Sequence, residues 1–238
     1  MFRQRKNRAL DLLNALQTTG VSVVVPAVFE EARPTYELIC GIPLVARTLM
    51  ALDQMPQVQE IIVVVPEAEI FQMANLCKLF EIERVRKVVA AKAPGHAAVT
   101  VGVYECEPDA AYIAVCDPLS PFMTESILRH ALTMAETCGA AAPGIEARDT
   151  IKIVRDGVIC ETPERGSLRI LQSPLLVETN LLKAALQKAH ESSADSGDVP
   201  QMLEDMGVLL RLTEGKEENM RVGHVAEIPA AEAVLRWR

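Results

Sequence analysis

Residues 21–49 read VSVVVPAVFEEARPTYELICGIPLVARTL, and the first half of this stretch decides the fold. Val21–Val25 is a β-branched run broken only by Ser22, the pattern of a strand covered on both faces. In nucleotide-binding folds a glycine-rich loop usually follows such a strand, because bare backbone must approach phosphates. Here the loop reads Val28-Phe29-Glu30-Glu31-Ala32-Arg33, with no glycine and two carboxylates. After it, residues 43–53 carry helical periodicity behind a proline, the usual first-turn residue.

Working outward, strands and helices alternate. Residues 59–67 and 85–91 read as buried strands separated by a helical stretch over 67–81, and a helix is expected over 95–106. A fourth strand, residues 110–117, ends in Asp117, and residues 122–138 read as the helix that leads back to the sheet. This rhythm implies right-handed crossovers and a mostly parallel α/β sheet. Ligands of such sheets bind beyond the carboxyl ends of the strands, so Pro26–Arg33, Ala90–Ala97 and Asp117–Pro121 are the segments to watch.

From Arg148 the pattern changes to short alternating strands around Asp156-Gly157, a strong hairpin signal. Residues 148–174 are read as a projecting β-arm whose exposed edges call for a partner, and exchange of arms in a homodimer is the expected arrangement. A helix over 178–190, a short helix over 199–206, a late strand over 208–215 and a closing helix over 230–236 follow. Residues 1–20 read as an amphipathic helical extension, with Leu10, Leu13 and Leu16 on one stripe and Gly20 as its stop. The whole chain, 1–238, is expected to form one domain.

Composition narrows the function classes. A net charge of −8 argues against broad nucleic-acid or membrane binding, while leaving room for a local basic pocket. The six cysteines show no C-x-x-C pair and read as reduced thiols, mostly in the core. The four histidines are scattered, without zinc-type spacing. The basic start is broken by Asp11, Asn14 and Gln17, unlike a signal peptide, and no stretch reaches the length of a membrane span; a cytoplasmic location is expected.

Several stretches together resemble the methylerythritol-phosphate cytidylyltransferases of isoprenoid synthesis, from Val21 to about Leu235. They are VVVPA (23–27), GIPLVARTL (41–49), IIVVVP (61–66) and CDPLSPF (116–122), with RDTIKIV (148–154), ERGSLRILQSP (164–174) and LTEGKEENMRV (212–222) weighing most. The resemblance implies a three-layer, Rossmann-like sheet of the nucleotide-diphospho-sugar transferase type. It implies transfer of a cytidylyl group from CTP to 2-C-methyl-D-erythritol 4-phosphate or a related polyol phosphate, with magnesium bridging phosphates and pyrophosphate leaving. Such chemistry is mostly positioning and charge neutralisation.

By the same resemblance, Asp117 matches the metal-binding aspartate, a role an exposed carboxylate suits. Thr150, Ser173, Arg165 and Arg221 match substrate-binding positions, Arg165 being the arm arginine that reaches a partner subunit's site and Arg221 standing for a lysine. Ala27, Val28 and Arg33 fall on the nucleotide-binding loop. That loop departs from the family's G-x-G and P-K-Q-Y-like segments: Phe29 and Glu31 take the glycine places, and no lysine occurs between Lys6 and Lys78. A second loop, G-G-x-x-R-x-x-S in the family, reads Ala91–Ala98 here, and the arginine of D-A-A-R-P is Ser120. No residue is assigned as catalytic.

Blander readings stand beside these. Asp117 fits a strand-ending turn equally well. Glu30 and Glu31 read as a solvated acidic turn rather than a paired base, residues 214–219 as a solvated charged loop, Lys152 as a solvated arm lysine, and Cys116 as core. Two functions remain open: a diverged cytidylyltransferase using substitute cations such as Arg33 and Lys92, or a non-catalytic relative that keeps the dimer and a polyol-phosphate pocket.

Overall fold

The structure is a computed structural model that describes residues 19–192 and 198–237. The helix expected before Gly20 falls in residues 1–18, outside the described residues. The first strand, β1 (Val21–Pro26), lies at the centre of the sheet, between β4 (Val58–Val65) and β6 (Tyr112–Val115), parallel to both. β5 (Val85–Ala90) adds a parallel edge beyond β4. On the other side β11 (Leu175–Glu178) runs antiparallel to β6 and to β7 (Ala140–Glu146), and β12 (Arg211–Glu214) pairs parallel to the far edge of β7. β10 (Arg169–Leu171) shares β11's edge of β7, offset by a bulge at Gln172–Pro174.

Alternation within β1 sorts the two faces. Val21, Val23 and Val25 pack with Ile61, Val63 and Val65 under α1 (Leu44–Asp53), α2 (Ile70–Leu79) and α4 (Glu125–Cys138). Val24, Ile62 and Val64 face α3 (His96–Glu105), α5 (Thr179–Ser192) and α6 (Val199–Asp205). Helices on both faces give the three-layer α/β architecture. α3 sits close enough that a Cβ on Gly102 would stand 2.3 Å from a methyl of Val24, so only glycine fits this crossing.

Two hairpins of one turn type lie outside the main sheet. β2 (Leu38–Ile39) and β3 (Ile42–Pro43) are joined by Cys40-Gly41, and β8 (Ile153–Arg155) and β9 (Val158–Glu161) by Asp156-Gly157. All four turn residues have positive φ, from 47° to 76°, as a type I′ connection demands. The second hairpin is the expected arm. Residues 148–162 are exposed throughout, Ile153, Val154, Val158 and Ile159 among them, whereas β10 belongs to the main sheet.

A third, smaller core lies under the carboxyl end of the sheet. Ile39, Leu44, Leu119, Phe122, Val222 and Ala231 are fully buried there, with Phe29 and Met220 packed against them. The closing helix, α7 (Ile228–Trp237), caps this cluster through Ala231.

The cysteines divide by burial. Cys77, Cys106 and Cys116 are core residues, but Cys40 and Cys160 are exposed because each lies on a hairpin, which corrects the expectation for those two. Burial pushes the Cys77 thiol up to about 11 and Cys106 to about 12, and it raises Cys116 further. In the native protein a disulfide-exchange reagent is expected to label Cys40 and Cys160 rapidly and these three only on unfolding. Above pH 9, the ordinary value, the unfolded chain releases these protons first. It then binds fewer protons than the folded chain, so stability falls as pH rises toward about 12. A urea midpoint that stayed level across that window, or fast labelling of Cys116, would contradict this burial.

Among the described residues no helix is long and apolar enough to cross a membrane.

Candidate functional site

The strand order reverses between β1 and β6: β4 and β5 follow on one side of β1, and β6 returns on the other. A crevice opens at such a switch point, beyond the carboxyl ends of the two strands. The segments that leave them are Ala27–Arg33 and Cys116–Phe122.

Cys116 is completely buried, so Asp117 is the first residue of this segment to reach solvent. The side chain of Asp117 folds back on its own turn, Oδ1 accepting the Leu119 N–H at 2.8 Å. The Asp117 N–H donates to Ser173 Oγ at 3.0 Å. Leu119 and Phe122 then plunge into the third core and fix the turn, and buried Thr48 donates its hydroxyl to the Pro118 carbonyl at 2.8 Å. Ser120 is only 3 % exposed, so this position faces inward.

Arg221 arrives from the segment after β12. Gly215 lets that segment pass closely, since a Cβ there would lie 2.9 Å from the Gly144 carbonyl oxygen. Gln172 Nε2 donates to the carbonyls of Lys216 and Asn219, and Asn219 Nδ2 donates to that of Ser173 at 2.9 Å. The Val222 N–H donates to the Leu119 carbonyl at 2.8 Å. Met220 and Val222 turn into the third core, so Arg221 between them turns outward. Its Nε donates to Asp117 Oδ2 at 2.5 Å in an ion pair. Asp117, Ser173 and Arg221 are thus brought together from three distant parts of the chain.

Arg33 joins the same neighbourhood. Its Nη1 lies 3.5 Å from the Gly223 carbonyl, and its other terminal nitrogen lies 4.0 Å from Glu31. Glu30 and Glu31 are exposed, the solvated turn expected of them. Ala27 and Val28 are buried, and the Ala27 N–H already donates to the Val64 carbonyl at 2.7 Å. Phe29, at one of the missing glycine positions, packs against the third core, so the loop is moored by an aromatic ring.

Thr150 and Arg165 form a separate pair on the arm, Arg165 Nη2 donating to Thr150 Oγ1 at 3.0 Å. Neither is bonded to Asp117 or Arg221 within the chain. Between the arm and the 214–217 segment lies an open cleft of about 660 Å³, lined by Arg148, Arg165, Arg169, Glu146, Glu214 and Glu217. Arg148 and Glu217 form a 2.8 Å ion pair in its exposed lining. Lys152 donates to Thr162 Oγ1 at 2.8 Å inside the arm.

Residues that the sequence reading passed over carry much of the architecture. Asn219 was grouped with a solvated charged run, yet it is only 2 % exposed. Its Oδ1 is buried with no partner among the described residues. The apolar Met220 and Val222 on either side of Arg221 were the available signal that this run ends in an anchored segment, and nothing local marked the burial of Asn219. Gln172 and Thr48 gave none, because their partners are carbonyls remote in sequence.

A divalent ion fits this donor set poorly. Both Asp117 oxygens are engaged, Glu31 leans toward Arg33, and no group of three His, Cys, Asp or Glu residues able to hold a metal occurs among the described residues. Magnesium binds through one or two carboxylates with free lone pairs, together with substrate phosphates.

Over residues 21–237 the chain matches the family model described as 2-C-methyl-D-erythritol 4-phosphate cytidylyltransferase, IspD. It is 31% identical over 205 residues to the protein of that name from Geobacter metallireducens, covering 84% of this chain and 88% of the relative. Its identity to the one from Caldanaerobacter subterraneus is 30% over 225 residues, 91% of this chain and 99% of the relative. Among solved structures it is similar to the 4-diphosphocytidyl-2C-methyl-D-erythritol synthase of Anaerococcus prevotii, with a TM-score of 0.82 at 19% identity. That match covers 94% of this chain and 99% of the other. The corresponding cytidylyltransferase of Thermus thermophilus gives 0.75 at 22%, covering 91% and 99%. At these identities the two structures speak to the fold.

Proposed function

We infer, for a chain that belongs to the 2-C-methyl-D-erythritol 4-phosphate cytidylyltransferase family, that the switch-point crevice receives a polyol phosphate and CTP for cytidylyl transfer, run slowly on substitute cations. The observation that carries this reading is the convergence of Arg33 and Arg221 beside Asp117 and Ser173. In the reaction an oxygen of the acceptor phosphate attacks the α-phosphorus of CTP. A new P–O bond forms, the bond to the β-phosphate breaks, and pyrophosphate leaves with the electron pair. Negative charge gathers on the transferred and departing groups, and fixed guanidinium groups stabilise it without reorganising. Arg33 and Arg221 would hold these phosphates, and the Ser173 hydroxyl would orient the acceptor.

The arm belongs to the same reading. Its exposed apolar strands and the outward Thr150–Arg165 pair suit a homodimer in which each arm completes the acceptor site of the other copy. Arg165→Ala is expected to weaken binding of 2-C-methyl-D-erythritol 4-phosphate by about 10- to 100-fold, the loss of a charged hydrogen bond worth roughly 1.5–3 kcal/mol. The melting temperature should not move, since Arg165 is exposed. Calorimetry on wild type and variant checks this, and equal affinities would show the arginine to be structural.

A second reading, binding without turnover, is favoured by one specific feature. Exposed Glu30 and Glu31 stand where a triphosphate would lie, and the Ala27 N–H beside them is committed to Val64. Separate titrations with CTP and with the polyol phosphate, followed by a pyrophosphate-release assay, divide the two. Binding of the acceptor alone supports the second reading; slow release of pyrophosphate supports the first; silence toward both ligands overturns both.

A further inference from the structure

We propose that Arg221 supplies the positive charge that a divalent ion would bring to Asp117, so that this crevice takes its phosphate ligand without a metal. The proposal rests on reading the crevice as a phosphate site, and it concerns what neutralises the carboxylate there. Asp117 is held on three sides: the Leu119 N–H occupies Oδ1, Arg221 Nε occupies Oδ2, and Ser173 Oγ fixes the backbone N–H. An entering ion would need to displace the Arg221 side chain, and a guanidinium cannot leave by losing its proton.

The position of Arg221 is built rather than incidental. Asn219, two residues before it, and Val222, directly after it, are 2 % and 0 % exposed. The segment is bonded to Ser173 on one side and Leu119 on the other. The guanidinium lies over Gly223, where a Cβ would stand 2.3 Å from Nη1, so the absence of a side chain there leaves its place open. Gly223 in turn is held by its N–H donating to Glu227 Oε2 at 2.7 Å. A lysine carries one ammonium on a flexible stem, whereas the guanidinium can meet Asp117 through Nε while its planar terminal end lies over Gly223. With Nε on Asp117, the terminal nitrogens of Arg221 are left to meet a phosphate, and Arg33 approaches the same Gly223 from the loop after β1.

Manganese alone, followed by electron paramagnetic resonance on the full chain, tests this without any substrate. Wild type is expected to bind little manganese at this site. Arg221→Ala should bind it about tenfold or more tightly, because a unit positive charge a few ångströms away has been removed. Adding Asp117→Asn should abolish the gain. Arg221→Gln, which keeps much of the stem, serves as the second variant should the alanine variant fail to fold by circular dichroism. Wild type binding manganese as tightly as the Arg221 variants, through Asp117, overturns the proposal, and so do Arg221 variants that gain no affinity. Calorimetry of wild type with inorganic phosphate adds a second arm, with equal affinity expected in EDTA and in excess magnesium. Phosphate binding that appears only with magnesium also overturns the proposal. Phosphate binding in neither condition sinks the phosphate-site reading instead, and the manganese result then still decides the role of Arg221.

Discussion

Pyrophosphate release from CTP and 2-C-methyl-D-erythritol 4-phosphate is expected to run about 10⁴-fold or more slower than in a relative with the G-x-G loop and its lysine, since each lost donor typically costs 10²- to 10³-fold. Three cationic positions of the family pattern are gone: the lysine of the loop segment, the arginine of the second loop, now read as Ala91–Ala98, and the arginine replaced by Ser120. Reversal is not simple at Ser120 or at the glycine position held by Phe29. Ser120 is buried between Leu119 and Phe122, so an arginine there would have to break the turn that holds Asp117. Phe29 is packed into the same core, so restoring glycine at that position would unmoor the loop it was meant to shape. Arg33 and Arg221 can recover part of the charge, but Glu30 and Glu31 oppose it. Single-turnover release of labelled pyrophosphate measures the rate, and turnover equal to that of a loop-complete relative would show that the lost groups were dispensable.

Phe122→Ala is expected to cost about 3–5 kcal/mol of stability and to disorder the crevice at the same time. The ring is fully buried in the core that also holds Leu119, Val222 and the inner face of α7. Removing it leaves a void under the very turn that presents Asp117, and a small satellite core has few neighbours to collapse into the gap. Urea unfolding should show the midpoint shift, and polyol-phosphate affinity should fall with it. Loss of stability with unchanged affinity would mean that the turn holds its shape through its hydrogen bonds, among them Asp117–Leu119, Thr48–Pro118 and Val222–Leu119.

The elements of the sheet were legible because their signals are local. β-Branched runs, broken only by Ser22 in the first and continuous over residues 61–65 in the second, marked β1 and β4, and Asp156-Gly157 marked the arm hairpin that the structure contains. The turn at Cys40-Gly41 escaped notice because its strands are only two residues long. The site was legible in part. Asp117 and Ser173 stood out by motif, yet that the Asp117 N–H meets Ser173 Oγ depends on β11 lying beside β6, a pairing far apart in the chain. Asn219 was misjudged because three charged or amide neighbours looked like solvent, while its burial comes from bonds to the Gln172–Ser173 bulge.

By itself, then, the sequence determined the class of fold, the crevice at the end of β1 and β6, and the missing glycines and lysine, because periodicity and residue type are properties of short segments. Only the tertiary structure decided what became of the vacated chemistry. It seated Phe29 in a third core, committed the Ala27 N–H to Val64, and set the guanidinium of Arg221 on the carboxylate of Asp117. Ala27 and Val64 stand far apart in the chain and Asp117 and Arg221 are 104 positions apart, and nothing in the order of the chain brings them together until the sheet has formed.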